Sequence, residues 1–570
     1  MFTSLFTASL FGLSAAFPSF NGPGLSPRAV CSGNTADTRS EWCDYSIDTD
    51  YTSTSPDTGV TREYWFELAE TTASPDGVER YVQAINGSIP GPTIIADWGD
   101  TVIVHVTNAL TSSTNGTSIH FHGIRQNYTN QNDGVSSITQ CPTPPGSTTT
   151  YTWKAEQYGS TWYHSHFALQ AWEGVFGGII INGPATSDYD EDLGHVFLND
   201  WSHQTVDQLY IDAETSGPPT LDNGLINGTN VYGDDGDADQ TGTRFSVSVT
   251  EDSSYRMRLV NAAVDTHWRF MIDNHTMTVI AMDLVPITPF TTDVISIGMG
   301  QRYDIIITAD QAAVADSFWI RAIPQSACSE NDSTDNIKGI LYYGDSTTTP
   351  TTSRPSSYED GQDCSDMDSS DLVPYISQTI SSVTSEGVED ATVAFNDDDL
   401  FKWYLNSTTM LLEWSDPTLL QVYDNTTTFD TSDAVIKLPT ADQWIYLVIE
   451  TTFTVPHPIH LHGHDFLVVA SGSGTYSSDV TLNLDNPPRR DTAMLPSAGY
   501  LAIAFKTDNP GAWLMHCHIG WHTSEGFALQ FIERQDEIND LIDYDTLSGT
   551  CDAWTTYQDT YSVEQDDSGI

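Results

Sequence analysis

Basic residues are scarce. Only 20 Lys and Arg stand against 78 Asp and Glu in 570 residues, a formal net charge of −58. A surface so dominated by one sign repels nucleic acid and anionic membranes, which removes both as partners. It favours small neutral or cationic molecules, or serves solubility alone. Long apolar runs are missing as well. After the first 16 residues no stretch approaches the roughly 18 consecutive apolar residues of a membrane span. Sustained helical periodicity is also scarce, which argues against a helical fold. Cysteine is sparse and odd in number: Cys31, Cys43, Cys141, Cys328, Cys364, Cys517 and Cys551. In a secreted chain six of these can pair, which leaves one thiol for another task.

What is present is short, alternating and rich in Val, Ile, Thr and aromatics. Thr101–Val106 (TVIVHV), Tyr303–Thr308 (YDIIIT) and Trp444–Ile449 (WIYLVI) read as half-buried strands, with Gly, Pro, Asn and Asp between such runs. The length suggests about three or four domains at roughly 150 residues each. The fold expected is all-β, with several sandwich or barrel domains. Polar stretches at 185–192 and 344–370 are candidate linkers and divide the chain in three. The expected division is 29–184, 185–365 and 366–570. Met1–Ala16 is apolar and ends in small residues, as a secretory signal does, although no Lys or Arg follows Met1. Pro27-Arg28 can end a short propeptide over 17–28. Sequons at Asn86, Asn115, Asn127, Asn227, Asn274, Asn331, Asn406 and Asn425 fit a secreted glycoprotein.

Histidine carries the chemistry. Random placement of 16 His in this length gives about 0.4 His-x-His pairs. The chain has His120-Phe-His122, His164-Ser-His166, His460-Leu-His462, His516-Cys-His518 and, overlapping the third, His462-Gly-His464. On a strand, residues two apart share a face, so each pair aims two imidazoles one way. Four converging pairs would offer eight neutral nitrogen donors, suited to copper or zinc. Cys517 sits between His516 and His518 and must face the opposite side. It would then serve a second metal site, and His457 and His522 are placed to join it. Two His and one Cys form the blue-copper donor set. A metal-held thiolate accounts for the odd cysteine.

These motifs resemble those of the multicopper oxidases. His120-Phe121-His122-Gly123, Trp162-Tyr163-His164-Ser165-His166, His457-Pro458-Ile459-His460-Leu461-His462-Gly463 and His516-Cys517-His518-Ile519-Gly520-Trp521-His522 match the family's four copper motifs in register. Asn86–Pro92, Gly300–Asp304 and Asn486–Asp491 match between them. The resemblance implies three cupredoxin-like domains and four copper ions. It implies a type 1 copper on His457, Cys517 and His522, and a type 2 copper on His120 and His460. It implies a type 3 pair on His122, His164, His166, His462, His516 and His518, with the cluster between the first and third domains. His464 has no role in that pattern. The reaction implied is one-electron oxidation of small phenols or aromatic amines, coupled to reduction of O2 to water. The protein expected is a secreted monomer.

The tail Asp567-Ser568-Gly569-Ile570 and the run Trp42–Tyr51 resemble ascomycete fungal laccases. That branch implies the disulfides Cys31–Cys43, Cys141–Cys551 and Cys328–Cys364. It implies a phenol-proton acceptor at Asp265, against the plain alternative of a loop carboxylate in an acidic chain. It implies an acid near the type 2 copper at Asp133, where the alternative is a turn Asp before Gly134. It also implies a C-terminal plug, with Asp567 passing protons, where the alternative is a solvated tail. Phe527 falls where the family places the axial neighbour of the type 1 copper, and its ring cannot coordinate. One position departs from the branch. Ala168 stands where a Ser is usual, while that Ser's partners Ser524 and Asp567 are present. Three other activities are compatible in part. A ferroxidase needs carboxylates beside His457 or His522. Ascorbate and bilirubin oxidases usually carry Met where Phe527 stands. A plain electron-transfer cupredoxin has no use for four His-x-His pairs. Pigment precursors, lignin fragments and plant phenols all fit as substrates.

Overall fold

The computed structural model describes residues 31–112, 115–358, 363–380, 384–396, 398–565 and 567–570. The expected leader 1–16 and propeptide 17–28 lie outside these residues. The architecture is all-β, in three cupredoxin-like domains that each pack two sheets. In the first domain, Arg80–Ile85, Thr61–Ala73, Thr101–Asn108 and Thr148–Lys154 form one sheet. Gly91–Asp97, Phe176–Asn182, Gly159–Ser165 and Ile119–His122 form the other. The second and third domains each oppose a six-stranded to a five-stranded sheet.

Alternation explains the layering. In Thr101–Asn108 every second residue is buried, placing Val102, Val104 and Val106 in the core beside Trp153 and Phe121. Strands buried on both faces read instead as continuous apolar runs, as in Trp444–Thr451, where Ile445 through Ile449 are buried.

Among the described residues, two of the helices that interrupt the β pattern exceed ten residues. Val206–Ser216 begins at a capping box between Thr205 and Gln208. Tyr544–Tyr561 begins where the Asp543 side chain accepts from the Thr546 amide. This 18-residue helix buries only Leu547, Cys551 and Trp554. Those residues share one narrow face, so polar residues dominate the sequence and mask the periodicity. Its Cys551 is bonded to Cys141 of the first domain. Cys31–Cys43 and Cys328–Cys364 also pair, and Cys517 is left as a free, buried thiol. Among the described residues no helix is long and apolar enough to cross a membrane.

Candidate metal centre

Register brings the histidines together. In the first domain the strand Ile119–His122 pairs with Gly159–Ser165, setting His120 opposite His164. In the third domain His457–Leu461 pairs with Gly511–Cys517, setting His460 opposite His516 and Ile459 opposite Cys517. Strand alternation then sends His516 and Cys517 to opposite faces. The two domains face each other through these rows. The His120 ring lies 4.0 Å from that of His462, and the His122 ring stacks on His460 at 3.8 Å, centroid to centroid.

The donor atoms form compact groups. Nitrogens of His122, His164 and His518 lie within 4.8 Å of one another, as do those of His166, His462 and His516, and of His120, His122 and His460. The rings are buried. Burial lowers the pKa of His122, His164, His166, His460, His462 and His518 well below the usual value, and crowding by the other imidazoles adds to it. His516 falls to about 4, mainly through burial. Neutral imidazoles are what a metal binds.

Hydrogen bonds decide which nitrogen is free. Carbonyl oxygens only accept, so the Nδ1 of His120 donates to Asp133 O at 2.8 Å, and that of His164 to Ser165 O at 2.9 Å. Likewise His460 Nδ1 donates to Asp491 O at 2.8 Å and His516 Nδ1 to Cys517 O at 2.9 Å. The Asp133 carboxylate takes the Nδ1 proton of His462 at 2.9 Å. Each of these rings then presents a bare Nε2. Those of His120, His164 and His460 are buried with no protein partner. Buried bare nitrogens aimed at one another are costly unless a cation lies between them. The donor set, all imidazole, fits copper.

The second cluster lies on the other face of the strand. Cys517 Sγ is 3.8 Å from His457 Nδ1 and 3.6 Å from His522 Nδ1. His457 and His522 are buried and their pKa values are lowered by that burial, to about 3 for His457. Burial pushes the Cys517 thiol well up, so the thiolate needs a cation beside it. The surroundings are apolar. Trp403 lies 4.7 Å from the His457 ring and 4.5 Å from His522, and stacks on Phe527 at 4.9 Å. Phe527 is itself 5.1 Å from the His457 ring and offers no donor atom.

The sequence-predicted carboxylates are all buried. Asp133 bridges the clusters' ligand rows through His462 and His120, the latter 3.2 Å from its Oδ1. Asp265 lies on the loop leading toward Gly520, whose amide donates to Val264 O at 2.9 Å. Burial raises the Asp265 pKa well above the carboxylate range, and the Asp200 charge raises it further. The tail is not solvated. Ser568 N donates to Ser524 O at 3.0 Å, Leu412 N donates to Ser568 O at 2.9 Å, and Ser137 Oγ donates to Gly569 O at 2.7 Å. Ile570 lines a small cavity with His164, His166, His516 and His518, and Ala168 and Thr523 also line it. Ala168 brings no hydroxyl there. Thr523 does, but that hydroxyl donates to Cys517 O.

Sequence reasoning missed several neighbours. Asp200 accepts the amides of Val264, Asp265 and Thr266 at 2.9, 3.0 and 3.0 Å and so shapes the loop. Glu525, raised to about 8 by burial, adjoins Trp403. No local motif marks either residue, because both act across strands distant in sequence. His464 faces away from both clusters and binds Glu533 at 3.0 Å.

Comparison with known proteins finds one family three times in the chain. Residues 67–186, 193–346 and 392–537 each match a multicopper oxidase family profile. Laccase-2 of Botryotinia fuckeliana is 47% identical over all of this chain and 99% of its own. Laccase-1 of Melanocarpus albomyces is 40% identical over 96% of this chain and 91% of its own. The crystal structure of the Botrytis aclada laccase superposes with a TM-score of 0.90 at 47% identity, covering 94% of this chain and 99% of that one. Fet3p, a multicopper oxidase that functions in iron import, gives 0.74 at 26% identity over 87% and 95% of the two chains. With paired histidine rows, a buried cysteine between two histidines, and three family matches between residues 67 and 537, the chain belongs to the multicopper oxidases, in their ascomycete laccase branch.

Proposed function

We propose that this laccase oxidises small phenols and aromatic amines in single-electron steps and passes four electrons to O2. The observation that carries the reading is the placement of Cys517. It faces His457 and His522 while its covalent neighbours His516 and His518 face the other cluster. His457, Cys517 and His522 would hold a type 1 copper, and His120 and His460 a type 2 copper. His122, His164 and His518 would hold one type 3 copper, and His166, His462 and His516 the other. Bound copper supplies the electron acceptor at the first site and the reduction of O2 to water at the second.

The chain's own groups supply the rest. The backbone on either side of Cys517 joins the two sites covalently. Trp403, Phe527 and the buried surroundings exclude water from the sulfur. Asp265 accepts the phenol proton, since a phenol that loses its proton is easier to oxidise. Asp133 orients His462 and His120. Asp567, in the buried tail whose Ile570 lines the cavity beside the histidine cluster, passes protons toward that cluster.

The same reading includes a secreted, glycosylated monomer with a signal over 1–16 and a propeptide over 17–28. It divides the chain at 185 and 366. Steady-state rates with a phenol, an aromatic diamine, Fe(II) and bilirubin, each beside O2 uptake, test the reading. Phenol and diamine should be turned over with O2 consumed at one molecule per four electrons. Fe(II) or bilirubin far ahead of both would overturn it.

A further inference from the structure

Among the described residues, the second domain contributes no side chain to any of the metal-binding groups. It nevertheless touches them. The strand Arg302–Thr308 starts beside the histidine cluster, and Arg302 is fully buried there. Its guanidinium forks onto Asp491 of the third domain, Nη1 to Oδ1 at 2.6 Å and Nη2 to Oδ2 at 2.5 Å. The fork is anchored at its root. Arg302 N donates to Asp283 Oδ1 at 3.0 Å, and Arg302 Nη1 also donates to Gly300 O at 2.9 Å. Asp283 in turn accepts the Asp491 amide at 3.1 Å and Arg490 Nε at 3.1 Å.

Asp491 reaches the cluster twice. Its backbone oxygen takes the Nδ1 proton of His460. Its Oδ1 lies 3.2 Å from Nε2 of His122, and Thr492 Oγ1, which donates to that same Oδ1 at 2.9 Å, is also 3.2 Å from it. His122 is therefore turned over relative to its neighbours. His120, His164, His460, His462 and His516 commit Nδ1 and present Nε2. His122 commits Nε2 and leaves Nδ1 buried with no protein partner. The second domain also presses on this ring directly. Gly300 has φ +81, and a Cβ there would sit 3.1 Å from His122 Cε1 and 3.0 Å from His518 Cδ2.

We propose that Arg302 is a positioning residue of the histidine cluster. By forking onto Asp491 it holds the His122 Nε2 proton on oxygen and keeps Nδ1 turned to the metal. The second domain, which holds no copper, thereby controls whether the cluster retains it. The inference rests on the copper reading above. Groups that hold a ligand's far nitrogen fix its tautomer and orientation, and their loss weakens metal binding by about 10- to 100-fold.

The test compares full-length R302M and R302K with R321M. Arg321 forks onto Asp273 at 2.8 and 2.9 Å, is also buried in the second domain though less completely than Arg302, and belongs to neither cluster. Three quantities are read: copper per chain during a chelator titration, the blue thiolate absorption, and the melting temperature. In R302M the histidine-cluster copper should be lost at about 10- to 100-fold lower chelator, with the blue absorption retained. R302K, which keeps the charge but not the fork, should fall between R302M and the parent. R321M should lose comparable thermal stability with no loss of copper. Parent-like retention in R302K and R302M overturns the proposal, as does equal copper loss in R321M. If R302M does not fold, R302K against R321K decides by the same criterion. A parent protein with no copper at the histidines would instead overturn the copper reading itself.

Discussion

His462 and His516 face each other with their Nε2 atoms 3.3 Å apart. Neither nitrogen carries a proton in the neutral rings, because Nδ1 of His462 is given to Asp133 and Nδ1 of His516 to the Cys517 carbonyl. Two lone pairs at that distance repel unless a cation lies between them. Stripping the metal with a chelator should therefore lower the melting temperature as well as the activity. A ligand that binds only the folded state at 1,000 times its dissociation constant stabilises it by about 4 kcal/mol. Scanning calorimetry of stripped and copper-reloaded protein checks this, and identical melting curves would count against a metal at this pair.

Asp265 should set the pH dependence for phenols. Burial, reinforced by the Asp200 charge, raises its pKa. The ionised form that can take a proton is thus lost as pH falls through this raised value. Phenol oxidation should decline over that range while a non-phenolic one-electron donor holds its rate. Asp265→Asn should slow phenols about tenfold or more, in line with the usual worth of a general base. Equal losses for both donors would make Asp265 a pocket wall only.

Phe527 should raise the potential of the sulfur site by withholding a donor. Its ring stacks on Trp403 and lies 5.1 Å from the His457 ring, with no donor atom to offer. Phe527→Met adds a thioether that favours Cu(II), so a redox titration should show a lower potential. No change would mean that the sulfur does not reach the metal.

Deleting Asp567–Ile570 should expose the cavity that Ile570 lines beside His164, His166, His516 and His518. Turnover, and the near-ultraviolet absorption of the histidine cluster, should fall. The blue absorption should persist, since Cys517 faces the other way. Unchanged turnover after deletion would show that the buried tail has no part in catalysis.

His464 should matter to stability alone. Burial pulls its pKa down, but the hydrogen bond and charge of Glu533 outweigh this and leave it raised. The stabilisation from that raised pKa is complete below the unfolded value near pH 6.5, and fades as pH rises through the folded value. His464→Ala leaves Glu533 buried without its imidazole and should cost about 3–5 kcal/mol. Denaturant melts measure the loss, and elemental analysis should find the copper content unchanged.

Much of the centre was legible as pattern. A spacing of two on a strand fixes a shared face, so four His-x-His pairs and the inverted Cys517 announced two metal sites before any packing was known. The all-β reading followed from alternation, and the odd cysteine from simple pairing. The 18-residue helix Tyr544–Tyr561 escaped because it buries one narrow face. The family pattern gives His464 of the fifth pair, His462-Gly-His464, no copper role, and strand spacing alone would not exclude it. Gly463 has φ +70 and breaks the alternation, so His464 turns away from the cluster.

The sequence by itself determined which side chains can bind metal and which of them share a face, because strand periodicity is a local property of the backbone. Only the tertiary structure decided which rows meet, which nitrogen each imidazole presents, and what holds it. Asp133 and Asp491 bind histidines of the opposite domain, hundreds of residues away, and Arg302 reaches Asp491 from the second domain. A hydrogen bond has no sequence periodicity. It forms wherever folding brings a donor to an acceptor, and here that happens only after three sandwiches have packed against one another.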